Sequence, residues 1–214
     1  MTSQVSGQQQ LQQGIDAMNL SFSEEQQAQM LAYVALLQKW NSTYNLTALR
    51  DEASMISHHV LDSLSLMPHL DPSKRMIDVG SGGGMPGILC AISYPEMDIT
   101  LLDANRKKTT FLQQVVIELG LTNVQVKSCR VETLADQSYE IVTSRAFAEL
   151  ADFVNLTREL IHPQGKWLAM KGMYPKQEID RLPDWAEVTA VRALSVPAVA
   201  AERHLVFMQK KEAL

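Results

Sequence analysis

The sequence predicts an α/β fold: a mostly parallel sheet with an antiparallel last strand, preceded by an N-terminal helical cap. Three observations support this prediction. Short apolar runs ending in turn residues recur from residue 75 to residue 210, with helical patterns between most of the first six of them. The connection between the last two runs is too short for a helical crossover. Residues 20–70 show helical periodicity alone.

The composition is that of an ordinary globular protein. The chain has 214 residues, of which 46% are hydrophobic and 20% charged, so one substantial domain with an appendage is expected. No signal-peptide pattern and no apolar run of about 18 residues occurs, so we expect a cytoplasmic protein without a membrane association. Cys90 and Cys129 lack a CxxC pattern, which favours packed thiols over a disulfide or a metal site.

The net charge of −5 weighs mildly against a nucleic-acid partner, because phosphate binding needs a positive surface. Local clusters of basic residues qualify that argument. These clusters are Arg106–Lys108, Lys127 with Arg130, Arg145, Lys166 with Lys171, and Arg203-His204. If the fold brings these basic residues to one face, the net charge does not exclude a nucleic-acid partner.

The chain divides into three predicted parts. Residues 1–19 are glutamine-rich at their start and too polar to bury a face, so we expect a disordered tail. Residues 20–70 form the helical cap, in which Ser23 and Gln26 make a capping box and Asp51 caps a second helix that stops near Pro68. Residues 71–214 form the α/β domain.

Seven strands follow in the α/β part. Helices are predicted over Pro86–Ser93, from the Asn105 cap to Gly120, from Leu150 through Leu160 to Pro163, and near Lys176–Leu182. The strands are Met76–Val79, Ile99–Leu102, Val124–Val126, Glu140–Thr143, Trp167–Met170, Val188–Leu194 and His204–Gln209. Because only Ser195–Ala201 separates the last two, they should pair antiparallel.

The most informative motif is the glycine-rich turn after the first strand, residues 80–87. It contains Gly80, Gly82 and Gly84, follows Asp78 at the strand end, and faces Asp103 at the end of the next strand. Turns of this kind hold nucleoside-bearing cofactors across the carboxyl ends of two parallel strands. A tight turn without a ligand is the alternative, but several glycines between two acid-ended strands make it the weaker one.

Two cofactor classes fit the glycine spacing. Gly82, Gly84 and Gly87 match the dinucleotide pattern GxGxxG, whereas Asp78 with Gly80, Gly82 and Gly84 matches DxGxGxG, the pattern of class I methyltransferases that use S-adenosylmethionine. A pyrophosphate beside the Asp78 carboxylate would be repelled, whereas a sulfonium and an ammonium group are compatible with it. The antiparallel last strand also favours the methyltransferase class.

Motifs along the chain resemble the bacterial RsmG (GidB) family, which methylates N7 of a guanine in 16S ribosomal RNA. They extend from residue 20 to the end, in the family's order. The matching stretches are Lys39–Asn41, Tyr44–Thr47, His58–Ser63, Ile77–Gly87, Leu101–Asp103, Ser128–Glu132, Ser144–Phe147, Lys171-Gly172 and Glu202–Val206. The resemblance implies a Rossmann-like methyltransferase fold, S-adenosylmethionine as cofactor, and 16S ribosomal RNA or the 30S particle as partner of a monomeric enzyme.

The resemblance also implies the cofactor-binding residues. The glycine loop, with Gly80, Gly82 and Gly84, would approach the methionine end of the cofactor, and Met85 would form an apolar wall. Asp103 would accept hydrogen bonds from the ribose hydroxyls. The remaining residues that the resemblance assigns are Val131 and Glu132, beside the adenine, and Arg145, at the mouth of the fourth strand.

Guanine N7 carries a free lone pair at neutral pH, so we expect no general base and a catalysis that depends on positioning. Arg145 and Lys171 are the candidates for contact with the target base or a phosphate, and Asn45 and His58 are weaker ones. His58 and His59, with Asp62 one turn on, suggest a metal site. No further ligand is visible, so packed histidines are favoured. Trp40 and Tyr44 suit either base stacking or core packing.

Three other functions stay open at this point. They are a class I methyltransferase acting on a small molecule or a protein, an NAD(P)-dependent oxidoreductase, and an RNA-binding factor without catalytic activity.

Overall fold

Seven β-strands form one sheet in the computed structural model, which describes residues 5–134 and 137–211. The strands are β1 (Met76–Val79), β2 (Ile99–Leu102), β3 (Val124–Lys127), β4 (Tyr139–Ser144), β5 (Ile161–Lys171), β6 (Ala186–Ala193) and β7 (His204–Lys210). Their order across the sheet is β3-β2-β1-β4-β5-β7-β6. The first five strands run parallel, and β7 pairs antiparallel with β5 and β6. The predicted fold class is confirmed, including the antiparallel last strand.

Helices precede the sheet and cover both of its faces. They are α1 (Gly7–Ala17), α2 (Glu24–Tyr44), α3 (Glu52–Met55), α4 (Asp62–Leu64), α5 (Gly87–Ser93), α6 (Arg106–Leu119), α7 (Leu150–Leu156) and α8 (Lys176–Ile179). A π-helical segment, Ile56–Leu61, joins α3 to α4. The predicted caps at Ser23, Asp51 and Asn105 and the left-handed Gly120 are confirmed. None of the helices within the described ranges has the length and hydropathy needed to cross a membrane.

The expectation of a disordered tail over residues 1–19 is wrong for α1. Ser6 and Gln9 form a capping box at its start, and Leu11 and Ile15, one turn apart, are almost completely buried. Gly14 lets the helix approach Leu61 closely. Two apolar side chains on one face are therefore enough to dock a helix in which five of the eleven residues are glutamines. Residues 1–4 lie outside the described part of the chain.

The helical cap and the sheet share one core. Met76 belongs to the same apolar cluster as Leu11, Tyr33 and Leu64 from the cap, whereas the next residue, Ile77, packs on the opposite face. This is the alternation expected of a strand buried on both sides. The predicted division at residue 70 therefore separates two segments of sequence that pack together.

The chain between α7 and β5 differs from the prediction. The helix expected to reach Pro163 ends at Leu156, and β5 already begins at Ile161. Gly165 explains the early strand, because a side chain there would come within 3.0 Å of the carbonyl oxygens of Tyr139 and Glu140 in β4. Gly165 thus allows β4 and β5 to pair closely and does not mark the end of a helix, as the sequence had suggested.

Candidate active site

The carboxyl ends of β1, β2, β4 and β5 open into three adjoining cavities. The inner cavity, about 290 Å³, lies between Gly80, Asp103 and Glu132. The middle cavity, about 200 Å³, lies over the glycine loop and also contains Gly80. The outer cavity, about 470 Å³, shares three residues with the middle one, namely Thr47, His59 and Arg145. Together they form one continuous cleft at the edge where open α/β sheets bind ligands.

The glycine loop forms the wall of the inner and middle cavities. Gly80 and Gly82 have φ angles of +73° and +57°, which side chains disfavour. A Cβ atom at Gly80 would also lie 3.0 Å from the Ala146 Cβ. The N–H groups of Gly80 and Ser81 both donate to the Leu102 carbonyl, at 2.8 and 3.0 Å, which ties the turn to the end of β2. The bare backbone is thus held at the mouth of the cleft.

Asp103 supports the loop and faces the inner cavity. Its Oδ2 accepts from the Gly82 N–H at 2.9 Å and its Oδ1 from the Asn105 N–H at 2.8 Å. Because each carboxylate oxygen can accept more than one hydrogen bond, both can still receive hydroxyl donors from the cavity. Val131 and Glu132, on the 3₁₀ turn Val131–Thr133, line the other side of this cavity. The cavity therefore presents two carboxylates to a ligand.

Asp78 lies behind the loop, and it lines none of these three cavities. Its side chain is fully buried, and its Oδ2 accepts from the Gly87 N–H at the start of α5 at 3.0 Å. Burial raises the pKa of this carboxyl to about 7. Asp78 thus does not lie directly beside a ligand in the cleft, as expected from the sequence, because its carboxyl holds the first turn of α5.

Gly84 and Met85 take different places. A Cβ atom at Gly84 would lie 2.6 Å from the Ile88 Cγ1 atom, so this glycine serves helix packing and does not reach the cavities described above. Met85 lines the middle cavity, and its sulfur lies 3.2 Å from an Arg145 Nη2. Of the loop residues predicted to bind a cofactor, Gly80, Gly82 and Met85 face the cleft and Gly84 supports it.

A buried carboxylate holds two arginines at the outer cavity. Asp62 Oδ2 lies 3.0 Å from Arg145 Nη1, and Asp62 Oδ1 lies 2.7 Å from Arg203 Nε. The Asp62 side chain is 4% exposed, whereas the two arginine side chains are 25% and 22% exposed. Arg145 also donates to the His58 carbonyl and the Met85 sulfur, and Arg203 to the Glu202 carbonyl. Each guanidinium has five N–H donors, so in the described part of the chain both keep donors without a protein partner. Sequence reasoning missed this cluster, since it considered Asp62 only as a possible metal ligand beside His58 and His59.

The π-helical segment places two histidines in the same cavity. His59 Nε2 lies 2.7 Å from the Thr47 hydroxyl, and its Nδ1 lies 3.1 Å from the His58 carbonyl, which can only accept. His59 Nδ1 therefore carries the proton, and Nε2 accepts from Thr47. Burial lowers the pKa of His59 to about 4, so the ring is neutral at physiological pH. Within the described ranges, no three His, Cys, Asp or Glu side chains are grouped to hold a metal ion.

Lys171 is occupied by protein groups. Its Nζ donates to the carbonyls of Phe147 and Ala148, at 3.0 and 2.7 Å, and pairs with Glu178 Oε2 at 2.6 Å. An ammonium group has three donors, and these three contacts use all of them. Although Lys171 lines the outer cavity, the structure therefore argues against the predicted contact with a base or phosphate and for a role in anchoring the loop after β4.

The weaker candidates in the cap lie elsewhere, except for His58. Asn45 is the left-handed C-cap of α2 and accepts from Arg50, outside the three cavities. Trp40 packs against Phe111 in the core and stacks on Tyr44, with ring centroids 5.3 Å apart. Of the two predicted alternatives for Trp40, core packing is confirmed. His58 lines the outer cavity, as its candidacy requires.

Comparison with known proteins identifies the family. Residues 26–206 match the family GidB, described as rRNA small subunit methyltransferase G. A relative named ribosomal RNA small subunit methyltransferase G from Neisseria meningitidis serogroup A / serotype 4A is 59% identical over 201 residues, which cover 94% of this chain and 97% of that protein. A protein of the same name from Chromobacterium violaceum is 55% identical and covers 92% and 95%, respectively.

A solved structure of coclaurine N-methyltransferase, bound to N-methylheliamine and SAH, shares the fold. Its TM-score is 0.55 at 14% identity, over 88% of this chain and 73% of that chain. At this identity the likeness concerns the fold alone. The family match and the identities above extend over nearly the whole chain, so the resemblance seen in the sequence motifs is confirmed, and this protein belongs to the GidB family of small-subunit ribosomal RNA methyltransferases.

Proposed function

We propose that this protein transfers the methyl group of S-adenosylmethionine to N7 of a guanine in 16S ribosomal RNA. One observation carries the proposal: Arg145, Thr47 and His59 belong both to the cavity over the glycine loop and to the outer, arginine-lined cavity. A cofactor on the loop and a base in the outer cavity would therefore meet at these residues. The family supplies the reaction class and the ribosomal substrate.

The residues of the inner and middle cavities fit S-adenosylmethionine. Asp103 offers two carboxylate oxygens for the ribose hydroxyls, and Glu132 and the backbone of Val131 can contact the adenine edge. The glycine loop, with Gly80 and Gly82, gives the methionine end access to bare backbone. When bound, this cofactor supplies an electrophilic methyl group. An acid that meets the ribose hydroxyls is common to both cofactor classes, and the family match favours S-adenosylmethionine over a dinucleotide.

The protein itself needs only to bind the cofactor and the target guanine, to orient them, and to exclude water from the cleft. Guanine N7 is unprotonated at neutral pH, so no residue has to remove a proton. His59, the imidazole shared by the middle and outer cavities, is neutral and already accepts from Thr47. Arg145 and Arg203 offer N–H donors suited to guanine O6 or a nearby phosphate, and O6 together with N7 distinguishes guanine from other bases. Rate enhancement would come from holding N7 in line with the methyl group.

The charges in the cleft support an RNA substrate despite the overall charge of −5. Arg145 and Arg203 both line the outer cavity, where Asp62 is the one acidic residue among the described lining residues, so positive charge is in excess at the proposed place of the base. Electrostatic attraction of phosphates depends on such local potential. The proposal includes action on free 16S RNA or on the 30S particle, as a monomer in the cytoplasm.

Methyl transfer to defined substrates tests the proposal. Purified protein is incubated with tritiated S-adenosylmethionine and, separately, 16S RNA, 30S particles and total protein from a strain lacking the gene, and N7-methylguanine is mapped by chemical cleavage. Label at a single guanine N7 in the RNA is expected, with a loss of at least a hundredfold in Arg145→Ala. Label in protein or small molecules only, or stabilisation by NADH instead of S-adenosylhomocysteine, would overturn it.

A further inference from the structure

The loop after β5 exposes two large apolar side chains beside the outer cavity. Met173 is 79% and Tyr174 54% exposed, although an ion pair between Lys171 in β5 and Glu178 in α8, at 2.6 Å, joins the two ends of the loop. A fourth cavity, about 570 Å³, lies along this loop and shares Lys171 and Gly172 with the outer cavity. The exposed residues therefore lie next to the predicted place of the target base.

This loop is held in position by specific contacts. His204 Nδ1 lies 2.7 Å from the Gly172 carbonyl, and the His204 ring makes a T-shaped contact with the Tyr174 ring, with centroids 5.8 Å apart. Pro175 is buried at the start of α8. The T-shaped contact covers only part of the phenol ring, and Tyr174 is 54% exposed, so ring surface is left for a second aromatic group. An aromatic ring held this way loses little conformational entropy when a second ring stacks on it.

The surroundings of the ring favour a nucleotide as the occupant. Lys176 is exposed beside Tyr174, and in the part of the chain that the structure describes its ammonium group has no hydrogen bond or ion pair. A flat apolar surface with a free cation nearby matches a nucleobase and its phosphate. Aromatic side chains are the usual stacking partners of bases in single-stranded RNA.

We propose that Tyr174, together with Met173, stacks an unpaired nucleobase that flanks the target guanine in the ribosomal RNA. The inference rests on the proposed function and adds a substrate-positioning element to it. With the target base in the outer cavity, the RNA strand passes over the shared rim of Lys171 and Gly172, and the neighbouring base reaches the phenol ring. The enzyme thereby binds a strand whose bases are already separated.

Kinetics of three variants test the stacking. Tyr174→Ala is expected to raise the KM for undermethylated 30S particles or 16S RNA about tenfold or more, because base stacking on an aromatic ring contributes about 1–3 kcal/mol per base. Tyr174→Phe keeps the ring and should stay within about twofold of wild type. Ile117→Ala, which removes another exposed apolar side chain, is the control. Melting temperature and affinity for S-adenosylhomocysteine should be unchanged in all three.

Photocrosslinking locates the stacked base. Tyr174→p-azidophenylalanine, irradiated with the same RNA substrate, should crosslink to a nucleotide immediately next to the methylated guanine. An unchanged KM in Tyr174→Ala, an equal loss in Tyr174→Phe, or a crosslink that is absent, distant or in a ribosomal protein would overturn the inference. Methylation by the wild-type protein is measured in parallel. If the wild-type protein does not methylate the RNA, the proposed function is wrong. If it does, a negative result for Tyr174 contradicts only the proposed stacking.

Discussion

Arg145 and Asp62, 83 residues apart in the sequence, form an ion pair at the outer cavity, with Nη1 3.0 Å from Oδ2. The second carboxylate oxygen of Asp62 holds Arg203 in the same way. A carboxylate between two guanidinium groups offsets their mutual repulsion and fixes both side chains. The orientation of the two cations at the cleft thus depends on one buried acid.

Asp62→Asn removes this shared charge and should lower methylation at least a hundredfold, because both arginines lose the contact that orients them. A lower melting temperature is also expected, since breaking a buried ion pair leaves a partner uncompensated. Steady-state kinetics and thermal unfolding measure the two effects. Asp98→Asn, which breaks the half-exposed pair with Arg75, should behave like wild type. Equal activity of the two variants would contradict the role of Asp62.

Lys171→Met distinguishes an anchoring role from a phosphate contact. Because all three donors of the ammonium group are engaged within the protein, the variant should unfold more easily by about 1–3 kcal/mol. The dependence of RNA affinity on salt should keep its slope, whereas Arg203→Gln should reduce the slope by about 0.7 if Arg203 contacts a phosphate. Filter binding over a range of salt concentrations checks this. A reduced slope in Lys171→Met would restore the original prediction of a phosphate contact.

Asp103→Asn should weaken binding of S-adenosylhomocysteine about ten- to a hundredfold. The amide keeps the shape of the side chain, but it loses the charge and one of the two acceptors that meet Gly82 and Asn105. Isothermal titration calorimetry measures the affinity, with Asp98→Asn as the matched control. If affinity were unchanged, the ligand would not use the inner cavity as proposed.

Asp78 makes stability depend on pH in a defined direction. Burial raises the pKa of its carboxyl in the folded protein from 3.8 to about 7. The unfolded chain therefore releases this proton first, so its contribution to stability falls as the pH rises from about 4 to about 7 and then stays constant. Asp78→Asn cannot ionise. The melting temperature of the variant minus that of wild type should increase across this window and level off above it; a difference independent of pH would refute the assignment.

Gly84→Ala should destabilise the fold by about 2 kcal/mol or more. The backbone there has a φ of +96°, and the new methyl group would lie 2.6 Å from Ile88 Cγ1. Gly172→Ala is the control, since a Cβ atom there meets nothing within 4 Å. Urea unfolding compares the two. Equal stabilities would show that the α5 packing can relax around an added methyl group.

The parts of the fold that depend on short stretches of sequence could be predicted from it. β1 and β2 have the predicted bounds because each is a brief apolar run between turn residues. Asn105 and Gly120 delimit α6 because capping is a local hydrogen-bonding and steric effect. The position of the glycine turn at the mouth of the cleft could also be predicted, because the motif is a short stretch directly after β1.

Other features depend on contacts between distant residues and leave no local pattern. Asp62 and Arg203 are 141 residues apart, so nothing near either position predicts their ion pair. Lys171 has the residue type of a phosphate ligand, and only the folded positions of Phe147, Ala148 and Glu178 show that its donors are used. The burial of Leu11 and Ile15 in α1 depends on the surface that receives them, and the local sequence does not show that surface.

The insertion of β7 between β5 and β6 has a consequence for biosynthesis. Until residues 204–210 leave the exit tunnel, β5 and β6 have no common neighbour, and Arg203, directly before β7, cannot reach Asp62. A nascent chain at this stage lacks the strand that joins β6 to the sheet and lacks one of the two guanidinium groups that Asp62 holds. We therefore expect methyl transfer to begin only after this stretch has emerged, since the sheet and the arginine pair are complete only then.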